Sequence, residues 1–254
     1  MTKKFNKDKI FNFSASEFAF GFEGCQRCYY DKKVNNIELK TPFPAIFSKI
    51  DYIQKHYYHS KSSKLISKDL DEGEIIADYN KKLYSELLYD NKKRPFTITG
   101  MIDAYIKHKN SFTVIDFKTT KIEERKIDTY TTQLQSYALM MEKPREGSLK
   151  LNPVKKLGIF CFDPNSMSGT NEKDCKINMD TQWFEIKRDD QNLINYITKI
   201  LDVLTSDETP KGNPNCGICN YRKLIKKIDK KKRFMKKEDV FNEKINPDFV
   251  SDQQ

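Results

Sequence analysis

The sequence has no apolar run long enough to cross a bilayer, and its first ten residues, MTKKFNKDKI, lack the apolar stretch of a signal peptide. Membrane-spanning and secreted classes are therefore set aside, and the cytoplasm is the expected compartment. Acidic residues are in deficit, 36 against 46 Lys and Arg, which leaves a formal net charge of +10. Such a surplus favours an anionic partner, nucleic acid being the commonest for a soluble protein, although a lysine-rich coding bias gives the same number. No internal repeat is visible. Global disorder is disfavoured, because hydrophobic residues make up 37% of the chain and it holds 17 Phe and 13 Tyr.

At 254 residues the chain can build one substantial domain with its own core. Its six cysteines, in a chain without a secretion signal, are expected to be reduced thiols, metal ligands or catalytic groups rather than disulfides. CQRC at 25–28 and CGIC at 216–219 are both CxxC pairs. Together they suggest a four-thiolate metal site of Cys25, Cys28, Cys216 and Cys219 that closes the ends of the chain. Cys161 and Cys175 have no such partners, and Cys161, within GIFCFDP, reads as a small buried apolar residue.

Ser14, three residues before Glu17, forms a capping-box pattern, and Phe18 and Phe22 follow at helical spacing, which predicts a short helix ending near Gly24. TPFP followed by AIFSKIDYIQKHYYHS predicts a turn and a second helix. Residues 61–80 are polar and poorly periodic, and read as a mobile connection with a short helical piece. RPFTITGMIDAYI and FTVIDFKTT alternate as strands do, and Leu134, Tyr137, Ala138 and Met141 then lie at helical spacing. KKLGIFCFDP and TQWFEIKR read as two further strands, and Leu193, Ile197, Leu201 and Leu204 mark an amphipathic helix. GNPNCGICNYRK is a turn-rich knuckle. Residues 222–237 hold ten Lys or Arg against one Asp, a solvated basic arm to which no structure is assigned.

The chemistry concentrates in residues 100–120, GMIDAYIKHKNSFTVIDFKTT. With Lys109 and Asn110 as a two-residue tip, paired positions sum to 219 and Asp103 lies opposite Asp116. Opposed side chains in a ladder stand about 4.5–5.5 Å apart between Cβ atoms, so two carboxylates there destabilise the sheet unless a cation lies between them. Alternation puts Lys118 on the face of Asp116. A hard divalent cation takes one or two protein carboxylates and keeps several waters, which is the chemistry of a metal-activated hydrolase. The plain alternative is a solvent-facing hairpin in which Lys118 pairs with an aspartate, and the residues alone leave both readings open.

The order Gly100-x-x-Asp103, then Asp116-Phe117-Lys118-Thr119, then Gln133-x-x-x-Tyr137 resembles the PD-(D/E)XK nuclease superfamily. It is most similar to the RecB-like branch that includes the CRISPR-associated iron-sulfur exonucleases and the AddB nuclease domain. The resemblance implies a restriction-endonuclease-like α/β fold: a mixed central sheet flanked by helices, with the N- and C-terminal segments joined by the cysteine metal site. The implied unit is one domain over residues 1–224, its cysteine-bearing ends at 12–31 and 212–224, followed by a basic tail at 225–254. The implied activity is Mg²⁺- or Mn²⁺-dependent hydrolysis of DNA phosphodiesters, exonuclease-like on single strands or ends, as in DNA repair. Protein partners would come from a recombination, defence or phage replication system.

Carried onto this chain, the resemblance makes Asp103 and Asp116 metal ligands, with the Phe117 carbonyl completing the shell and Lys118 as the catalytic lysine. Gln133 and Tyr137 would reach the substrate or hold the lysine. The branch often adds an upstream histidine, for which His56 and His59 are the candidates, with Glu74 or Glu86 as substitutes. Its iron-sulfur members hold a [4Fe-4S] cluster with one upstream cysteine, in a motif resembling CPRxYY, and three downstream. Here CQRCYY and CGICNY divide two and two, so Cys28 would replace the missing third downstream thiolate. The cluster is the first expectation, and structural Zn²⁺ is its alternative. Two rivals to the enzyme remain, a non-catalytic nucleic-acid-binding scaffold of the same fold and a zinc-stapled interaction protein. Tyr221 and Phe234, near the basic tail, are candidates for stacking on bases.

Overall fold

Residues 9–39, 42, 44–78 and 81–244 are described by the computed structural model. The chain opens with β1 (Phe11–Ser14), α1 (Glu17–Gly24), α2 (Gln26–Asn35) and α3 (Ala45–Tyr58). Six strands follow: β2 (Glu74–Ile76), β3 (Leu83–Tyr84), β4 (Leu88–Tyr89), β5 (Pro95–Gly100), β6 (Ala104–Lys107) and β7 (Phe112–Thr119). After them come α4 (Glu124–Ile127), α5 (Thr131–Glu142), β8 (Val154–Asn171), β9 (Asp174–Ile186), α6 (Asp190–Leu204) and α7 (Gly217–Lys244). The larger sheet runs β2-β6-β7-β8-β9, parallel only between β7 and β8. A smaller sheet gathers β1, β3 and β4 around β5, with β1 parallel. The architecture is the mixed α/β type expected, with helices flanking a mixed sheet.

The β6–β7 register is the expected one: Ala104 faces Ile115 and Tyr105 faces Val114. His108 holds the tip, its N–H donating to the Ser111 carbonyl at 3.0 Å and its Nε2 lying 2.8 Å from Thr113 Oγ1. Strand β7 is buried on both sides because its neighbours cover both. Val114 joins the cluster containing Leu134, Tyr137 and Ala138 of α5. Ile115 and Phe117 join a second cluster around Tyr58. The Tyr58 ring lies 5.7 Å from Phe117, 5.4 Å from Phe160 and 5.8 Å from Phe162, and aromatic pairs of this kind add about 0.5–1.5 kcal/mol each beyond area burial.

Three features depart from the sequence expectation. The stretch RPFTITGMIDAYI divides at residues 101–103, leaving the small sheet after Gly100 and entering the large one at Ala104. Phe11 and Phe13 alternate into the core and form β1 ahead of the predicted helix. Residues 61–78 are an ordered strap rather than a mobile link, with a 3₁₀ turn at Ser63–Leu65 and edge strand β2. Ile66, Leu70 and Ile75 are buried there, and the Ser63 hydroxyl donates to the Asp71 carbonyl at 2.8 Å. Its apolar residues anchor singly, which leaves no period to read. Residues 79 and 80 of that stretch lie outside the described ones.

The predicted capping box is half formed: Glu17 Oε2 accepts the Ser14 N–H at 3.2 Å. The same carboxylate meets Lys33 at 2.6 Å and Lys32 at 2.8 Å, tying α1 to α2. Burial pushes the Glu17 carboxyl up, but the two ammonium groups and the Ser14 N–H outweigh it and hold it below its ordinary range. Lys33 is itself held low by burial, so the cluster has a moderate net worth. Glu17→Gln should lower the unfolding free energy by about 1–2 kcal/mol at pH 7, read by urea titration. A folded-state carboxyl held below its unfolded value stabilises above the ordinary carboxylate pKa and loses that contribution as pH falls. The gap between variant and wild type should therefore close on acidification below about pH 4.

Candidate active site

Strand β7 delivers Asp116, Phe117 and Lys118 in succession, and alternation turns Asp116 and Lys118 toward α5 while Phe117 enters the Tyr58 cluster. Asp103 lies in the break between β5 and β6, and its Oδ2 accepts the Phe117 N–H at 2.9 Å. The register therefore brings the two aspartates side by side. The Lys118 ammonium forms a tight ion pair with Asp116 Oδ2 and lies 5.0 Å from the centre of the Tyr130 ring. On α5, Gln133 and Tyr137 share a face one turn apart. Gln133 Nε2 donates to Asp116 Oδ1 at 3.2 Å and to the Tyr137 hydroxyl at 3.0 Å.

Asp116 is buried, with 2% of its surface exposed. Burial raises its pKa, the neighbouring Asp103 charge raises it further, Lys118 opposes both, and the result is about 7. Burial pulls Lys118 down, yet the two carboxylates outweigh it and hold the ammonium above its ordinary value. A buried carboxylate beside a second carboxylate is costly without compensating positive charge, of which Lys118 supplies one unit for two carboxylates. The donor set suits a hard divalent ion, which Asp116 and Asp103 would hold.

Helix α3 supplies residues that the motif reading missed. Lys55 Nζ lies 2.8 Å from Asp103 Oδ1 and 3.0 Å from Asp51. Gln54 Nε2 donates to Thr119 Oγ1 at 3.1 Å. Phe47, Ser48, Asp51 and Gln54 face Asp103, Phe117, Lys118 and Thr119 across a groove of about 450 Å³. The spacing of Asp51 and Lys55 marks one helical face, but nothing in the sequence says what that face meets.

His56 and His59 line a neighbouring cavity of about 160 Å³ with Tyr52, Ala77 and Asp78, and not the groove. His56 stacks on Tyr52 at 6.0 Å, and His59 Nδ1 accepts the Ala77 N–H at 3.3 Å. Glu74 pairs with Lys107 along the sheet edge, and the Glu86 N–H donates to the Lys143 carbonyl, so neither lines the groove.

The four CxxC cysteines do meet. Cys25 and Cys28, at the start of α2, and Cys216 and Cys219, at the start of α7, place all four sulfurs within 4.8 Å of one another. Among the described residues this is the only group of three or more His, Cys, Asp or Glu close enough to share a metal. Cys161 is buried, as expected, and Cys175 is exposed. Tyr221 is exposed on α7, whereas the Phe234 side chain lies outside the described ones. No helix among the described residues is long and apolar enough to cross a membrane.

A mixed sheet that sets a buried carboxylate, a second carboxylate and a lysine beside a helix-borne glutamine defines a restriction-endonuclease-like α/β protein. Residues 34–224 match the family model of the PD-(D/E)XK nuclease superfamily, and the chain belongs to that superfamily. Membership implies a metal-dependent nuclease with nucleic acid as substrate. A solved structure, "Crystal structure of SSO0001", is similar over 75% of each chain, with a TM-score of 0.41 and 12% identity. No curated protein matches the chain.

Proposed function

We propose that the protein is a Mg²⁺- or Mn²⁺-dependent deoxyribonuclease of the RecB-like branch, acting on single strands or ends. The reacting residues are Asp103, Asp116 and Lys118, within a nuclease unit spanning residues 1–224. The observation that carries this reading is the buried Asp116 carboxylate, set beside a second carboxylate, Asp103, and paired with Lys118.

Asp116 and Asp103 would hold the ion, with the Phe117 carbonyl as a further oxygen donor. Bound there, such an ion would neutralise charge on the scissile phosphate and lower the pKa of a water. Lys55 would surrender Asp103 Oδ1 to it. Lys118, kept protonated between two carboxylates and steadied by the Tyr130 ring, presents positive charge to the phosphate. Gln133 fixes the rotamer of Asp116, and Tyr137 fixes Gln133. The net charge of +10 supports backbone binding.

The test is an assay on linear single-stranded, linear duplex and circular DNA with Mg²⁺, Mn²⁺ or EDTA. Cleavage should require a divalent ion and should spare the circles. DNA binding without cleavage in either ion would instead establish the scaffold reading, and cleavage of circles would remove the preference for ends.

A further inference from the structure

The distances between the four cysteine sulfurs decide what they can hold. Cys25–Cys219, Cys28–Cys216 and Cys28–Cys219 are each separated by 3.6 Å, and the remaining pairs lie within 4.8 Å. One tetrahedral metal with Zn–S bonds of about 2.3 Å spaces its four sulfurs about 3.8 Å apart. A [4Fe-4S] cluster binds each thiolate to a different iron at a cube corner and holds the sulfurs on the order of 6 Å apart. The three 3.6 Å pairs match the first spacing and fall short of the second by roughly 2 Å, and even the 4.8 Å upper bound on the others is below it.

Side-chain slack is restricted where Cys25 and Cys219 meet the 212–220 knuckle, although Cys28 and Cys216 are only half-buried. Cys25 and Cys219 are buried. Gly212 passes so near Cys219 that a Cβ on it would come 2.8 Å from the sulfur. The next residue, Asn213, donates its N–H to Cys25 Sγ at 3.5 Å and its side-chain amide to the Gly24 carbonyl at 3.0 Å. The Cys216 N–H returns to the Asn213 carbonyl at 3.0 Å, and Asn220 Nδ2 donates to the Pro214 carbonyl at 2.8 Å, which rigidifies the knuckle. Outside the thiolates, Arg222 of α7 pairs with the buried Asp31 of α2 and clamps the two helices at their present spacing. Opening the sulfurs for a cubane would break this set together.

We propose that Cys25, Cys28, Cys216 and Cys219 hold a single structural Zn²⁺ ion rather than an iron-sulfur cluster. The four thiols release their protons to solvent as the metal binds, and the centre has no electron to exchange. Its work is mechanical: it fastens the root of the basic helix α7 to the α1–α2 junction. The proposal stands apart from the nuclease reading and survives or fails without it.

The test is metal and acid-labile sulfide analysis of the full chain, expressed with iron and zinc both supplied and purified without oxygen, followed by X-ray absorption at the zinc edge. One zinc per chain, no sulfide, no visible absorption and a single shell of four sulfurs at about 2.3 Å are expected. Cys175→Ser, which removes the exposed cysteine, should keep the full zinc content. Cys216→Ser should lose zinc or, if it binds, show a shell with only three sulfurs. Four irons with sulfide, one iron without it, or a folded metal-free chain would each overturn the proposal.

Discussion

Asp116→Asn and Lys118→Ala should each slow metal-dependent DNA cleavage by about 10²–10³-fold, read as single-turnover rates on linear single strands with saturating Mn²⁺. The first variant keeps the size of the side chain and an oxygen for Gln133, so it removes charge and little else. The second takes away the ammonium paired with Asp116 and leaves a buried carboxylate beside Asp103. Gln133→Ala acts through Asp116 and should cost less, on the order of tenfold. Circular dichroism separates loss of chemistry from loss of fold. Equal rates in all the variants would trace the cleavage to a contaminating enzyme and remove these residues from the reaction.

Gly100→Val should destabilise the protein by about 1–3 kcal/mol, visible as a lower urea midpoint with an unchanged slope. A Cβ at this position would stand 2.8 Å from Tyr137 Cε1, 3.3 Å from the Ala15 methyl and 3.4 Å from the end of Met140. The Tyr137 ring is buried and bound through Gln133 to Asp116, so it cannot retreat without moving the site. The glycine of the Gly-x-x-Asp element is thus a space requirement, not a turn requirement. Gly100→Ala should show the same effect at the lower end of the range. A midpoint equal to wild type in both would mean that the ring does not rest on the strand.

The site's central pair was legible because it depends on local geometry. Alternation and a two-residue tip fix the β6–β7 register, and the register sets Asp103 beside Asp116. The helix carrying Gln133 and Tyr137 follows from its apolar spacing. What the sequence hides is which surfaces meet. Asp51 and Lys55 come close to the candidate site because α3 crosses the end of β7, a tertiary fact with no local mark. The same crossing directs His56 and His59 into the neighbouring cavity. The break at residues 101–103 escaped because alternation continues across it, although the chain changes sheets there. Phe11 and Phe13 are too few to announce a strand without Phe96 and Ile98 beside them.

The thiolate knot joins residues 188 to 194 positions apart in sequence. At a synthesis rate of about 5–20 residues per second, Cys25 and Cys28 wait roughly 10–40 s on the ribosome for their partners. The knot therefore cannot close on a partial chain, and any product that stops before Cys216 leaves it open. With the proposed zinc bound, metal content would be a tally of finished molecules. It also gives a protease or chaperone a physical difference to act on: an unfinished chain shows two loose thiols and an unanchored helix pair, and a finished one shows neither.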